Sequence, residues 1–289
     1  MIARRLRPID LALTCGALSV VLGLTYLFAA GAPRRYLVIN ASALVIGVVL
    51  AMALRRVPLR SRTAVGAVTV TIGLLLLGTA FFGVVVDGAS RWIVIAGITL
   101  QPAAILVPLA VGLLARSRDA LSALGVTIAA LALALQPDRA MAGALLAGVA
   151  ALWMVRRERP VLIALLAAVA GFAATLLASD TVPPVPFVEQ VVRASFAHHP
   201  LLGLLVVAGL AVMLVPAAIG IARPGPIGDA GRDACLVAGA TWLAVAAFSM
   251  IGNYPTPLVG YGSSAILGYC LHTIVLDRET RPLDARRAT

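Results

Sequence analysis

The sequence predicts an all-α, polytopic membrane protein with about ten transmembrane helices and both termini in the cytoplasm. Three observations predict it. Of the 289 residues, 61% are hydrophobic and 12% are charged, and the mean hydropathy is +1.03. A soluble domain carries about 25% charged residues and needs them to cover its surface. Apolar runs close to the roughly 20 residues that cross a bilayer recur along the whole chain. The arginines between those runs alternate in density from one side to the other, as the positive-inside rule requires. Together these observations exclude a soluble globular enzyme, a disordered chain and a disulfide scaffold. Ten helices use about 200 residues. That leaves a single membrane domain over 1–289, whose polar end, 277–289, is a cytoplasmic tail.

The apolar runs lie at about 10–31, 36–54, 64–86, 99–115, 119–135, 139–155, 160–179, 200–222, 233–252 and 257–276. The first follows Arg4, Arg5 and Arg7 and extends from Leu11 to Ala30. It is longer than the roughly 7–15 residues of a signal-peptide core, so it is read as a retained span. Only Gln136, Pro137 and Asp138 separate the fifth and sixth runs. One continuous helix there would overshoot a bilayer, so a tight hairpin is expected.

With the N-terminus inside, 18 arginines face the cytoplasm: Arg4, Arg5, Arg7, Arg55, Arg56, Arg60, Arg62, Arg116, Arg118, Arg156, Arg157, Arg159, Arg223, Arg232, Arg278, Arg281, Arg286 and Arg287. Five face outward: Arg34, Arg35, Arg91, Arg139 and Arg193. The net charge of +11 is spread in short clusters between apolar runs, which is a topology signal and not a nucleic-acid face. Cys15, Cys235 and Cys270 fall inside apolar runs and read as small core residues.

Charge is costly in a bilayer, so polar residues at the outer ends of spans are the functional candidates. Four outer segments stand out. Asp87 to Pro102 contains the neighbours Arg91 and Trp92, either a belt pair at the interface or a cationic site for a phosphate headgroup. Gln136-Pro137-Asp138-Arg139 forms the tight hairpin, where Pro is expected at the turn and an Asp-Arg neighbour pair is often only a local ion pair. The long connection 180–199 holds Asp180, Glu189, Arg193, His198 and His199. A short helix over 187–197 would place Glu189 and Arg193 on one face, and a desolvated Glu189 would be a general base. Adjacent histidines do not converge on one metal, so no metal site is assigned. Asn253 to Ser264, with Pro255, Pro257, Gly260 and Gly262, is a broken start to the last span. Such backbone is tolerated at membrane depth only when enclosed by protein or lining a cavity.

These segments resemble the SEDS family (shape, elongation, division and sporulation), of the FtsW/RodA type. Gly88-Ala-Ser-Arg91-Trp92-Ile93, Gly97 and Gln101-Pro102 resemble its G-x-x-R-W-I … G … Q-P-S-E-x-x-K. Gln136-Pro137-Asp138 resembles its Q-P-D-L-G-T, and Pro257-Leu-Val-Gly-Tyr261-Gly262-Ser-Ser264 its L-P-F-I-S-Y-G-G-S-S. The three motifs fall in family order between the expected spans.

The family's catalytic Asp stands in a pattern like L-P-E-x-H-T-D-F-I-F. Counting from Pro184, and counting back from Gly203, both arrive at Glu189. This chain departs from the family pattern at Ala103, Ala104 and Val107, at Ala140 and Met141, at Val185, Phe187 and Val188, and at Gly260.

The resemblance implies a glycosyltransferase that polymerises lipid II glycan strands at the outer face of the bacterial inner membrane, in cell shape or division. Glu189 would be the catalytic base. Arg91, Trp92, Gln101, Asp138, Arg193, Tyr261 and Ser264 would form the substrate site. No cofactor is legible, although a divalent cation suits pyrophosphate chemistry. The implied partners are lipid II or another undecaprenyl-linked glycan, a single-span penicillin-binding transpeptidase and membrane lipids, with no nucleic acid. An alternative is a catalytically inactive relative that binds lipid-linked glycan or the transpeptidase as a scaffold or regulator. A third is a lipid flippase or transporter, which would need ionisable groups inside the spans; apart from residues at the span ends, none is expected there.

Overall fold

The computed structural model describes residues 7–57, 59, 61–178, 183–222 and 229–278. Arg4, Arg5, Arg60, Asp180, Arg223, Arg281, Arg286 and Arg287, and the tail beyond Arg278, lie outside the described residues.

The chain runs α1 (Pro8–Ala29), α2 (Arg34–Leu54), α3 (Arg62–Phe82), β1 (Val84–Val86), β2 (Ala89–Ile95), β3 (Ile98–Leu100), α4 (Pro102–Ser117), α5 (Ala120–Leu135), α6 (Arg139–Val155) and α7 (Arg159–Leu177). It continues through α8 (Val191–His198), α9 (Pro200–Ala222), α10 (Asp229–Ile251) and α11 (Ser263–Arg278). Among the described residues, six helices are long and apolar enough to cross a membrane: α1, α2, α3, α7, α9 and α10. Four shorter apolar helices, α4, α5, α6 and α11, sit at the remaining expected spans. The protein is a multi-pass, helical membrane protein.

Of the shorter helices, α4 and α11 are the inner ones, whereas α5 and α6 also expose long side chains such as Leu131 and Met154. Ala103, Val107, Ala110, Val111 and Leu114 of α4 are completely buried, enclosed by α3, α5, α6, α10 and α11. The outer helices present their long side chains to lipid instead, such as Leu74 and Leu75 of α3 and Leu201 and Leu204 of α9. Without a hydrophobic drive between helices, small residues permit close packing. Gly268 of α11 sits against the Ala104 carbonyl of α4, and Gly23 of α1 sits against the backbone of Val259. A methyl group at either glycine would overlap main chain.

At the end of the bundle where α4 and α6 finish, the arginines also tie helices together. Arg118 closes α4 in a left-handed conformation (φ 48°). Its Nε donates to Glu158 Oε1 at 2.9 Å, and its guanidinium lies 3.7 Å from Asp233. Arg156 Nε reaches the same Asp233 carboxylate at 2.6 Å. The ends of α4 and α6, the start of α7 and the start of α10 are thereby tied by charge. The Arg116 guanidinium adds a bond to the Leu59 carbonyl at 3.1 Å.

Three expectations need correction. The third apolar run was expected to remain helical to residue 86. The helix ends at Phe82, and residues 84–100 form an antiparallel sheet of order β1-β2-β3. Its turns, Asp87-Gly88 (φ 48° and 81°) and Ala96-Gly97 (φ 50° and 78°), have the paired positive φ of two-residue hairpin loops. The last apolar run was expected from residue 257 with a broken start; the broken start is borne out, and only the helix bound moves, to Ser263. The segment before it is irregular and enclosed, with Tyr254, Thr256, Leu258 and Val259 at 5%, 1%, 1% and 0% exposure.

The third correction concerns ionisable groups inside spans. His272 lies well inside α11 at 2% exposure, where its Nδ1 accepts a bond from Trp242 Nε1 at 3.0 Å. The imidazole fits because it packs on Gly112 of α4, which has no side chain to displace it. One His in an otherwise apolar run was the available signal.

Candidate functional site

The irregular segment 253–262 joins two groups of side chains at the end of the bundle that carries the sheet. The first group is built on β2, on the hairpin between α5 and α6, and on the start of α11. Arg91 leaves β2 and is 2% exposed. Its guanidinium bonds the Pro137 carbonyl at 2.5 Å. It also lies 5.9 Å from the Trp92 ring centroid and 5.8 Å from that of Tyr254. A cation within about 6 Å of an aromatic face is held by the ring quadrupole.

Asp138, fully buried, caps α6 by accepting the Met141 amide at 3.1 Å. Its other oxygen accepts Gln101 Nε2 at 2.7 Å. The backbone N–H of Gln101 donates to Ser264 Oγ at 2.8 Å. Gln136, also fully buried, donates to the Leu76 carbonyl at 2.6 Å. Arg139 reaches away from this group, toward the end of α7, where its guanidinium bonds the Thr175 and Ala178 carbonyls at 3.2 Å each.

The second group surrounds Glu189. The helix expected over 187–197 begins only at Val191. Gln190 ahead of it is left-handed (φ 55°), as is Phe187 (φ 69°). Glu189 therefore lies on a turn and does not share a helical face with Arg193, which stands exposed on α8. In place of a helix, Glu189 forms a β-bridge with Pro255. The Thr256 amide donates to the Val188 carbonyl at 2.9 Å, and the Tyr261 amide to the Phe187 carbonyl at 2.7 Å.

The Glu189 carboxylate accepts the Val185 amide at 2.6 Å. Burial pushes its pKa up from 4.5 to about 7, against the lowering effect of the Val185 and Glu189 amides. Desolvation dominates, so this acid takes up and releases a proton near neutrality. Burial likewise raises the Tyr261 phenol, as does nearby Tyr36, while Arg35 opposes both.

α2 holds this loop from one side. Tyr36 stacks on Tyr261 with centroids 3.8 Å apart and planes at 6°. One turn later Asn40, 1% exposed, uses both ends of its amide. Its Nδ2 donates to the Gly260 carbonyl at 2.9 Å, and its Oδ1 accepts the Gly262 amide at 3.2 Å. Leu258 within the loop has φ 63°, a costly conformation for a branched side chain that persists where the surroundings dictate it.

Replacing Asn40 by Leu strands a donor and an acceptor, at about 1–3 kcal/mol each. The expected result is several-fold faster hydrogen exchange in residues 255–262, with exchange in the helix cores unchanged.

The structure thus brings Arg91, Trp92, Gln101, Asp138 and Ser264 into one cluster. It links Glu189 and Tyr261 to that cluster through the loop bearing Tyr254. It leaves Arg193 at the rim. Tyr36, Asn40 and Tyr254 were not singled out in the sequence. Asn40 carried a signal, as the one amide side chain in a run that is otherwise mostly apolar. Tyr254 was marked only by its neighbouring prolines. Among the described residues, no group of three His, Cys, Asp or Glu side chains converges as a metal site. His199 Nδ1 instead accepts the Leu201 amide at 3.2 Å at the start of α9.

The profile of the FtsW/RodA/SpoVE family, described as cell cycle proteins, matches residues 10–184. The chain belongs to that family. The match spans α1 to α7 and includes the Arg91 and Asp138 motifs. No curated protein sequence matches the chain.

Among solved structures, the fold is similar to that of the rod shape determining protein RodA of Thermus thermophilus. The TM-score is 0.62 and the identity 22%, covering 93% of this chain and 95% of RodA. It is equally similar to a chain from work described as structural coordination of polymerization and crosslinking by a peptidoglycan synthase complex. There the TM-score is 0.62 and the identity 21%, covering 93% and 96%. This member of the family shares the RodA fold along nearly its whole length.

Proposed function

We propose that this protein acts in cell-wall synthesis as a SEDS-type glycosyltransferase, polymerising lipid II glycan strands at the outer face of the bacterial inner membrane. The observation that carries the reading is Glu189. It is a partly buried acid on an outer loop, titrating near neutrality and paired in backbone to the segment that packs on Arg91.

As general base, Glu189 takes the proton from the C4 hydroxyl of the acceptor GlcNAc. That oxygen attacks the anomeric carbon of the donor MurNAc, and undecaprenyl pyrophosphate leaves. At 2% exposure Arg91 acts as a fixed positive charge beneath the site, and its low-dielectric surroundings extend its field. Direct contact with the pyrophosphate falls to exposed arginines of the outer face, Arg193 and Arg35. A divalent cation, when present, would be held mainly by the pyrophosphate and would offset its charge. The working partner on this reading is a penicillin-binding transpeptidase, which crosslinks the strands produced.

One observation favours a second reading, an inactive relative that binds lipid-linked glycan or the transpeptidase as a scaffold. The α4 positions where the family motif has Ser, Glu and Lys are Ala103, Ala104 and Val107. They are 0%, 8% and 0% exposed, and Ala104 is closed against Gly268 of α11. Polar groups at these positions are replaced by packing. Purified protein supplied with lipid II, with and without a co-purified transpeptidase, separates the two readings. Polymer from the native chain and none from Glu189→Gln supports the polymerase. Bound lipid II without polymer from either supports the scaffold.

A further inference from the structure

The sheet between α3 and α4 has a composition its role in the site does not explain. From Trp92 to Ile98 every residue is apolar. This run includes the tip of a two-residue hairpin, a place where polar turn residues are usual. At that tip Val94, Ile95 and Ile98 are 54%, 56% and 38% exposed, and Val84, Val85 and Val86 of the neighbouring strand are 44%, 66% and 40% exposed. The only charges between Phe81 and Gln101 are Asp87, at the opposite turn, and Arg91, which is buried.

The patch is continuous with a surface that already faces lipid. Phe81 and Phe82, at the outer end of α3, are 67% and 89% exposed, and β1 begins two residues later. β2 is therefore divided along its length: Ala89, Ser90 and Arg91 are buried in the site, whereas Val94 and Ile95 point out of the protein. Left in water, such a contiguous apolar patch is unusual for a protein surface. The free edges of β1 and β3 have backbone groups that hydrocarbon cannot satisfy, which places the sheet at headgroup level and not in the bilayer core.

We propose that the Ile95-Ala96-Gly97-Ile98 tip inserts into the headgroup and upper acyl region of the outer leaflet, so that β2 connects the lipid surface directly to Arg91. The occupant is lipid, because the patch continues the lipid-facing side of α3 and has no charge of its own with which to select a protein. An interfacial element of this kind is held by buried apolar area. This inference does not depend on whether the chain polymerises glycan.

The test attaches an environment-sensitive fluorophore to Ile95→Cys and, separately, to Asp87→Cys, in the full chain reconstituted in phosphatidylethanolamine–phosphatidylglycerol nanodiscs. The unsubstituted chain, treated identically, sets the background from buried Cys15, Cys235 and Cys270. The expected result is blue-shifted emission at position 95, quenched by headgroup-level spin-labelled lipid about threefold or more relative to position 87. A label at Ile98→Cys, on the other side of the same turn, should match position 95. Water-like emission and equal quenching at positions 95 and 87 would overturn the proposal. Shielding of position 95 that develops only when a transpeptidase is added would also overturn it, by assigning the tip to a protein partner.

Discussion

Replacing Glu189 by Gln is expected to lower glycan polymerisation by roughly 10²–10⁴-fold, the usual contribution of a positioned general base. The amide matches the carboxylate in shape. Its carbonyl oxygen still accepts the Val185 amide that the carboxylate accepts at 2.6 Å. The β-bridge to Pro255 is made by backbone and does not involve the side chain. Binding of lipid-linked glycan and the thermal midpoint should therefore stay close to native while the rate collapses. Single-turnover polymerisation and equilibrium lipid II binding, measured on the same preparations, separate these effects. A variant that polymerises at the native rate removes Glu189 from the mechanism.

Asp138→Ala is expected to produce the largest loss of stability, roughly 2–5 kcal/mol from an uncapped helix and a stranded buried donor. Asp138 is fully buried and serves both α6, through the Met141 amide, and Gln101, through its side-chain amide. Gln101 in turn fixes Ser264 at the start of α11. Alanine removes both acceptors together, whereas Asp138→Asn keeps an oxygen for one of them and should fall between alanine and native. The thermal midpoint in lipid nanodiscs reports the order. Equal midpoints for alanine and native would show that the hairpin is held without this carboxylate.

Most of the helical layout was legible because membrane helices obey one dominant rule, a long apolar run bounded by charge. The hairpin between α5 and α6 followed from Pro137 and from length alone, and the structure places helices on both sides of it. The sheet was not legible by the same rule. Val84 to Val86 continue an apolar run, and hydropathy does not distinguish a strand from a helix end. Asp87-Gly88 was the local signal, and its positive φ values show why it mattered.

In the site, the motif residues on α4, α6 and α11 converge because rigid helix ends set their positions. Glu189 and Arg193 do not pair because the chain before α8 is shaped by distant partners. The Thr256 and Tyr261 amides bond to it and prevent the helix from starting earlier. No periodicity within residues 187–197 contains that information. The buried His272 is illegible in the sequence for a different reason. It stands among apolar neighbours, and only the fold shows Trp242 and Gly112 arranged around it.

The most direct measurement of the central claim is the rate of polymer formation from purified lipid II by the native protein across pH 5.5–8.5, with the transpeptidase partner present. A base must be ionised to act, and Glu189 is raised to about 7 by burial. The account therefore predicts a rate that climbs about tenfold per pH unit well below 7 and levels off above it. A carboxylate at its ordinary value near 4.5 would give a flat profile over most of that range. A flat profile would contradict the role of Glu189. The absence of polymer at every pH, with lipid II bound, would contradict the polymerase itself.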